Sequence, residues 1–239
     1  EQTPHVDRLI LVTEEAKEYY ANYYGINAGK ITVLPNYIST ERFKTFNFNN
    51  ETASGNERPF TVVYFGETGL RRGTMTILES ARLLQEKNIK FIIIGNSREQ
   101  TMLEKTVKDQ QLDNVTLTGK LPVPEAMKLI SSSDIGLCPF LRNIHHDTTY
   151  ANKMFQYMAL GKPVIVSDCT AQVNVVRLEN CGLVFSSGDA SDLSEKILSL
   201  TDRPTYELLS KNAKSCIYSK YNWETSGARL TDLYKGLLK

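Results

Sequence analysis

The chain has 239 residues, of which 41% are hydrophobic and 23% are charged, a balance typical of a globular protein with a sizeable core. The chain has 28 lysines and arginines and 27 aspartates and glutamates, so its net charge is only +1. A nucleic-acid partner held by its phosphates is therefore not expected. No apolar run reaches the about 18 residues that span a bilayer, and the four cysteines are isolated from one another. Disordered, collagenous and coiled-coil classes are excluded. We expect a reduced, cytoplasmic protein without a metal site.

The first predicted element is a strand–helix–strand unit within residues 1–36. Residues 8–12 and 31–34 are short apolar runs that predict strands, and Thr13 is a suitable N-cap for the helix between them. Residues 45–59 are polar and rich in asparagine, which is typical of a linker or loop.

Six further apolar runs alternate with segments of helical period. Between the runs at 61–65 and 91–94, apolar residues recur at three-residue intervals on one helical face, namely Met75, Leu78, Ala81 and Leu84. Continuous apolar strands separated by amphipathic helices are typical of a parallel sheet covered on both faces. The sequence therefore predicts an α/β fold with a doubly wound parallel sheet. The predicted strands are residues 61–65, 91–94, 115–118, 135–140, 164–167 and 182–185.

Three helices are predicted at the far end of the chain. Asp189 and Asn222 are suitable N-caps, and Pro204 suits the first turn of a helix. The last helix carries a series of apolar residues whose spacing favours burial in the core, with a docking surface for a partner as the alternative. These residues are Trp223, Leu230, Leu233, Tyr234 and Leu237.

The loop after the first strand of the predicted sheet is a candidate phosphate site, because ligands of open parallel sheets bind beyond the carboxyl ends of the strands. It runs from Gly66 to Gly73, and a helix begins near Thr74. Its glycines permit close approach, the helix offers free N–H groups, and Arg71 and Arg72 supply guanidinium groups suited to phosphate. The alternative is a tight turn with solvated arginines.

Two more loops follow the second and third strands. Gly95 opens a second glycine turn, for which a simple turn is the alternative. Thr118, Gly119, Lys120 and Leu121 expose backbone that is suited to hydrogen-bond a flat base, and here too a plain turn remains open.

The segment from Arg142 to Asp168 is the most informative. A polar loop leads into a helix that begins near Ala151 and carries Asn152 and Lys153 in its first turn. A lysine there opposes the helix dipole, which indicates an anionic ligand, although an exposed lysine is tolerated at small cost. This helix is therefore the second predicted anion site.

Taken in order, these segments resemble the C-terminal, donor-binding half of a GT-B glycosyltransferase of family GT4, also called group 1. The motifs are GETGLRRG, GNS, VTLTGKLP, NKMFQYMALGKPVIVSD and YNWE. The resemblance implies a Rossmann-like half of a GT-B fold that binds a nucleotide sugar. It also implies retaining transfer to a polysaccharide or glycolipid precursor, with no cofactor and no metal.

The resemblance assigns roles to residues already singled out. The family's basic phosphate-binding pair falls at Arg71 or Arg72, with Gly73, and its diphosphate-binding helix N-terminus at 151–153. The nucleobase would lie near residues 118–121.

Two positions depart from the family's pattern. Many relatives carry two glutamates with seven residues between them, which contact the donor sugar and the ribose, and here these positions hold Thr148 and Gln156. Glutamine can still hydrogen-bond a diol, whereas threonine supplies no carboxylate. The sequence therefore does not identify the catalytic residue, for which Thr148 and His146 are candidates. The alternative for His145 and His146 is a pair of solvated loop side chains.

The resemblance also implies an acceptor half that precedes residue 1, which is glutamate rather than methionine. Its partners would be a nucleotide-sugar donor and an acceptor glycan or lipid-linked sugar. The protein itself would contact a membrane at most peripherally, at the inner face. The alternatives are a nucleotide-binding module without transfer activity and a GT-B sugar-nucleotide epimerase. The expected divisions are the end of the first half with its crossover at 1–45, a linker at 46–59, the donor domain at 60–220 and a crossover helix at 221–239.

Overall fold

The computed structural model describes residues 6–44 and 58–237. The predicted linker at 46–59 lies almost wholly outside the described residues.

The first described unit is a small parallel pair of strands with one helix. Thr13 is the N-cap predicted from the sequence, because its Oγ1 accepts a hydrogen bond from the backbone N–H of Ala16 at 3.0 Å. A short helix follows the unit. The elements are β1 (Leu9–Leu11), α1 (Glu14–Tyr24), β2 (Ile31–Val33) and α2 (Thr40–Lys44).

A six-stranded parallel sheet forms the rest of the fold. Its strands are β3 (Phe60–Phe65), β4 (Ile89–Ile94), β5 (Val115–Gly119), β6 (Ile135–Cys138), β7 (Val164–Ser167) and β8 (Gly182–Phe185). Their order in the sheet is β5-β4-β3-β6-β7-β8, which is the order of a Rossmann fold. The strand order reverses between β3 and β6, so the topological switch point lies there.

Helices cover both faces of this sheet, which confirms the predicted doubly wound fold. Neighbouring strand residues point to opposite sides: Val63 packs in one buried cluster with Phe155, and Val62 packs in the other with Leu78 and Leu193. The helices are α3 (Thr74–Leu83), α4 (Gln100–Asp109), α5 (Val123–Ser132), α6 (Ile144–Asp147), α7 (Asn152–Ala159), α8 (Thr170–Glu179), α9 (Ala190–Ser199), α10 (Arg203–Ser219) and α11 (Trp223–Leu237).

Two sequence predictions need correction. The strand expected at 135–140 ends at Cys138, and the next residue, Pro139, has no N–H to donate to a neighbouring strand. The side chains of α11 expected in the core are largely exposed, with Trp223 at 40%, Tyr234 at 57% and Leu237 at 45%. Helical spacing marks an apolar stripe but does not determine what covers it.

Glu224, at the start of α11, joins this helix to α2. Its carboxylate accepts hydrogen bonds from the hydroxyl of Ser39 at 2.8 Å and from the backbone N–H groups of Thr40 and Glu41 at 3.3 and 3.5 Å. Burial raises the pKa of Glu224, but these hydrogen bonds outweigh it and lower the pKa to about 2. The carboxylate therefore acts as the N-cap of α2 from a distant part of the chain.

We expect Glu224→Ala to lower the free energy of unfolding by about 1 kcal/mol, the usual effect of losing a helix N-cap. Because the pKa of Glu224 in the folded chain lies below the ordinary value of about 4.3, the carboxylate stabilises the fold above that value. This stabilisation is lost as the pH falls towards 2. Urea denaturation of the parent and the variant should thus show a difference in the free energy of unfolding that has its whole value above about pH 5 and shrinks on acidification. A difference independent of pH would contradict the assignment, and Glu86→Ala, at an exposed position, is the control.

Candidate functional site

A cleft of about 440 Å³ opens at the switch point between β3 and β6. Phe65 and Gly66 reach it from the end of β3, and Phe140 reaches it from the segment after β6. Arg72 and the first turn of α7 provide further walls. The cleft therefore lies where the sheet topology predicts a ligand site.

Gly73 lets the loop after β3 pack directly against the chain after β6. Its φ is +77°, and a Cβ at this position would lie 1.7 Å from the carbonyl oxygen of Pro139. The same contact is extended by a hydrogen bond from the N–H of Leu141 to the carbonyl of Arg71 at 3.1 Å. This close packing fixes the 3₁₀ turn Leu70–Arg72 at the rim of the cleft.

The two adjacent arginines of this turn both approach Glu67 but differ in exposure, and only Arg72 lines the cleft. The guanidinium of Arg72 lies 5.0 Å from the ring centroid of Phe140, lines the cleft, and donates to Glu67 at 3.1 Å. Arg71 is 65% exposed and does not line the cleft. The hydrogen bond from Arg72 lowers the pKa of the Glu67 carboxyl, so Glu67 is ionised at neutral pH. Of the two candidates, Arg72 is the one that lines the cleft.

Lys153 directs its ammonium group to the base of the cleft. Its Nζ lies 3.6 Å from the ring centroid of Tyr64, 5.5 Å from that of Phe140, and 3.1 Å from the position of a Cβ at Gly66. Burial lowers the pKa of Lys153 to about 7. Its ammonium makes no hydrogen bond or ion pair with any residue that the structure describes. The cleft thus holds an amine that has no anionic partner among the described residues.

The N-terminus of α7 opens onto the same cleft. Its N-cap, Ala151, supplies no side-chain hydrogen bond, so backbone N–H groups of the first turn are available to an anion. Asn152 and Gln156 line the cleft as well, with Gln156 about one turn after Lys153. The structure therefore brings together Gly66, Arg72, Asn152, Lys153 and Gln156 from the predicted set.

Besides Arg71 and Gly73, four more predicted residues lie outside the cleft lining. Gly95, Thr118, Lys120 and Leu121 follow or end β4 and β5 and are not among the residues that line it. Gly95 has a structural reason to be glycine, because its φ is +138° and a Cβ would lie 1.8 Å from the carbonyl oxygen of Gly66. A role of these four residues at a nucleobase stays a prediction.

The two catalytic candidates also lie outside the cleft lining. His146 is 1% exposed, stacks on Phe140 at 4.5 Å, and has its Nδ1 2.7 Å from the carbonyl oxygen of Leu141. Burial lowers the pKa of His146. The Thr148 hydroxyl donates to a carbonyl of its own helical turn and borders a separate groove beside α1. Of the two histidines, it is His145 that lines the cleft.

Sequence reasoning missed two contributions from the first unit. Val12 directly follows β1 and Asn36 follows β2, and both line the cleft. The carboxyl ends of this second parallel pair therefore face the same space as those of the main sheet. The rule that directs attention to strand ends applies to the first unit too.

No cluster of three or more histidine, cysteine, aspartate or glutamate side chains suited to a metal ion occurs within residues 6–44 and 58–237. In the same part of the chain, no helix has the length and apolarity needed to cross a membrane.

A family model described as glycosyl transferases group 1 matches residues 59–203. The chain is similar to the capsular polysaccharide biosynthesis glycosyltransferase CapM of Staphylococcus aureus, with 21% identity over 97% of this chain and 62% of CapM. It is also similar to the UDP-Gal:alpha-D-GlcNAc-diphosphoundecaprenol alpha-1,3-galactosyltransferase of Escherichia coli, with 21% identity over 95% of this chain and 59% of that enzyme. The chain thus spans about three fifths of the length of these two curated relatives.

Solved structures show the same fold. A glycosyltransferase from Rickettsia africae matches with a TM-score of 0.85 and 14% identity, over 100% of this chain and 67% of that one. Anabaena HepE in complex with UDP matches with a TM-score of 0.83 and 14% identity, over 98% of this chain and 65% of that one. At these identities the likeness concerns the fold, and it confirms the Rossmann-like half of a GT-B fold predicted from the sequence.

Proposed function

Because the chain belongs to the glycosyl transferases group 1 family, we propose that its cleft binds the diphosphate of a nucleotide-sugar donor for transfer of the sugar to a polysaccharide or glycolipid precursor. The observation that carries this proposal is the convergence of Arg72 and Lys153 at the uncapped N-terminus of α7. Two cations and free N–H groups at a switch point are the chemistry that a diphosphate requires.

The same groups serve the transfer step. When the bond between the anomeric carbon and the diphosphate oxygen breaks, negative charge accumulates on the leaving diphosphate. Arg72 and Lys153 are positioned before the reaction begins, so they stabilise this charge without a reorganisation cost. In this proposal they take the part that a divalent metal plays in other transferases, and transfer proceeds with retention, as the resemblance implies.

The remaining groups of the cleft suit the rest of the donor. Gln156 lies along α7 beyond Lys153, and no residue of the described chain hydrogen-bonds its side-chain amide. We assign it to the ribose hydroxyls, and the ends of β4 and β5 to the base. UDP is bound in the similar structure of HepE, which makes a uridine nucleotide the first donor to test.

We expect Gln156→Glu to retain or increase affinity for a ribonucleotide and to leave affinity for its 2′-deoxy form no better than in the parent. A carboxylate accepts hydrogen bonds from both ribose hydroxyls, whereas an amide offers only one acceptor oxygen. Calorimetric titration with UDP and 2′-deoxy-UDP measures the ratio of affinities. An unchanged ratio would place the ribose elsewhere.

The acceptor belongs to a part of the protein that we place outside this chain. The Escherichia coli relative is named for a sugar acceptor linked to diphosphoundecaprenol, and this chain spans 59% of it. We propose that an acceptor half faces the cleft from the side of Val12 and Asn36. The protein would then work in the cytoplasm, peripherally at the inner membrane face, on a lipid-linked sugar.

A nucleotide-binding module without transfer activity is the second candidate. It is favoured by Thr148, which stands where many family members carry the glutamate that contacts the donor sugar, and whose hydroxyl is bonded to its own helix. Among the described residues that line the cleft, Glu67 supplies the only carboxylate, and it is paired with Arg72.

Two measurements test the proposal. Calorimetry with a panel of nucleoside diphosphates and nucleotide sugars should show binding to this chain at millimolar ligand or below, without turnover. Mass spectrometry of the full-length protein with the same donors and a lipid-linked acceptor should show sugar transfer. The absence of any nucleotide binding would overturn the proposal, and binding without transfer by the full-length protein would favour the binding module.

A further inference from the structure

We propose that a diphosphate enters the cleft together with one proton, which is taken up by Nζ of Lys153. This inference rests on the proposed function, because it concerns the same cleft and the same class of ligand.

Removal from water favours the neutral amine of Lys153 while the cleft is empty, and the contact of Nζ with the face of Tyr64 offsets only part of this cost. The group lies against the face of Tyr64 and beside Gly66, with Phe140 on a further side. Removing a cation from water is costly unless an anion pairs with it, and no such pairing exists within the described residues.

The charged and titratable groups around Lys153 come from several elements. Cys138 of β6 is neutral, since burial raises the pKa of its thiol to about 12, and burial likewise raises the pKa of the Tyr64 phenol of β3. Arg72 adds a positive charge that disfavours a second cation. Of the carboxylates in the described part of the chain, Glu67 is the one that favours the ammonium form, and it is already bonded to Arg72.

Two further groups complete the surroundings of Lys153. Tyr157, on the same helix, is buried, and burial raises the pKa of its phenol well above the ordinary value. His145 of α6 lines the same cleft with its imidazole. A variant at this histidine therefore separates its contribution from that of Lys153.

A diphosphate supplies the missing negative charge. Its arrival raises the pKa of Lys153 above the value of about 7 in the empty cleft, and the amine lone pair accepts a proton from the buffer. No other bond forms or breaks, and departure of the product diphosphate returns the proton to solvent. Affinity should then be nearly constant below about pH 7 and fall by up to about tenfold per pH unit above it.

Calorimetry with UDP-glucose provides the test, because both of its phosphates are esterified and neither titrates near neutral pH. Titrations at about pH 8 in HEPES and in Tris, which differ in ionisation enthalpy and contain no phosphate, give the number of protons taken up. We expect nearly one proton per ligand at about pH 8 and close to none at about pH 6.

Two variants assign the proton. Lys153→Arg keeps a permanent cation, so it should bind UDP-glucose without proton uptake at either pH. His145→Asn should bind with the same uptake as the parent. A proton taken up by Lys153→Arg would assign the uptake to another group and overturn the inference.

The outcomes separate this inference from the proposed function. Binding of UDP-glucose by the parent without proton uptake at about pH 8 overturns the inference and leaves the proposed function standing. Failure of every nucleotide on the panel to bind overturns the proposed function instead.

Discussion

Replacing Arg72 with alanine is expected to weaken the binding of UDP by about ten- to a hundredfold, since a hydrogen bond to a charged group contributes about 1.5–3 kcal/mol. Arg72 lines the cleft, and its side chain is only 24% exposed. Its guanidinium is therefore screened less by water than a surface charge would be. The variant also removes the hydrogen-bond partner of Glu67 and leaves this carboxylate with only the exposed Arg71 at 3.6 Å, so its negative charge near the phosphates is less well neutralised and adds to the loss.

Arg71→Ala is the matched control for this prediction. Arg71 is the neighbouring residue, carries the same charge and also approaches Glu67, at 3.6 Å, but it is 65% exposed and lies outside the cleft. We expect its removal to change the affinity for UDP by less than about twofold, the usual scale for an exposed charge. Calorimetric titration of both variants gives the comparison. Equal losses would mean that the phosphates bind outside the cleft.

The position of the site could be predicted from the sequence because it depends on topology. Apolar strands that alternate with amphipathic helices imply a parallel sheet, and a parallel sheet places its binding loops at one edge. The glycine loop and the first turn of α7 follow from this rule. The choice between Arg71 and Arg72 could not be predicted from it. The 3₁₀ turn that exposes Arg71 and places Arg72 in the cleft lining packs through the contact between Gly73 and Pro139.

Other features depend on contacts between distant segments and could not be predicted from local patterns. Burial of His146 results from stacking on Phe140, although the sequence places it in a polar loop. Glu224 caps α2 from 184 residues away in the chain. Trp223 is exposed although its spacing is that of a core residue, because α11 buries only Ser226 against the described part of the chain.

Gly73→Ala is expected to lower the free energy of unfolding by about 2–5 kcal/mol. Two costs combine at this position. A φ of +77° is strained for any residue with a Cβ, and the added carbon would lie 1.7 Å from the carbonyl oxygen of Pro139. Relief of this clash requires the loop after β3 and the segment after β6 to separate. That movement would displace Arg72 from the cleft, so a folded variant should also bind UDP more weakly.

Gly119→Ala isolates the first of these costs. Gly119 has a similar φ of +68°, but a Cβ there would meet nothing within 4 Å. We expect Gly119→Ala to lower the free energy of unfolding by only about 1–2 kcal/mol, the cost of the left-handed conformation for a residue with a Cβ. Urea denaturation of the two variants and the parent measures the difference, which reports the cost of the contact between the two loops. Equal losses at both positions would show that these loops separate freely, and Arg72 would then have no fixed place in the cleft before a ligand binds.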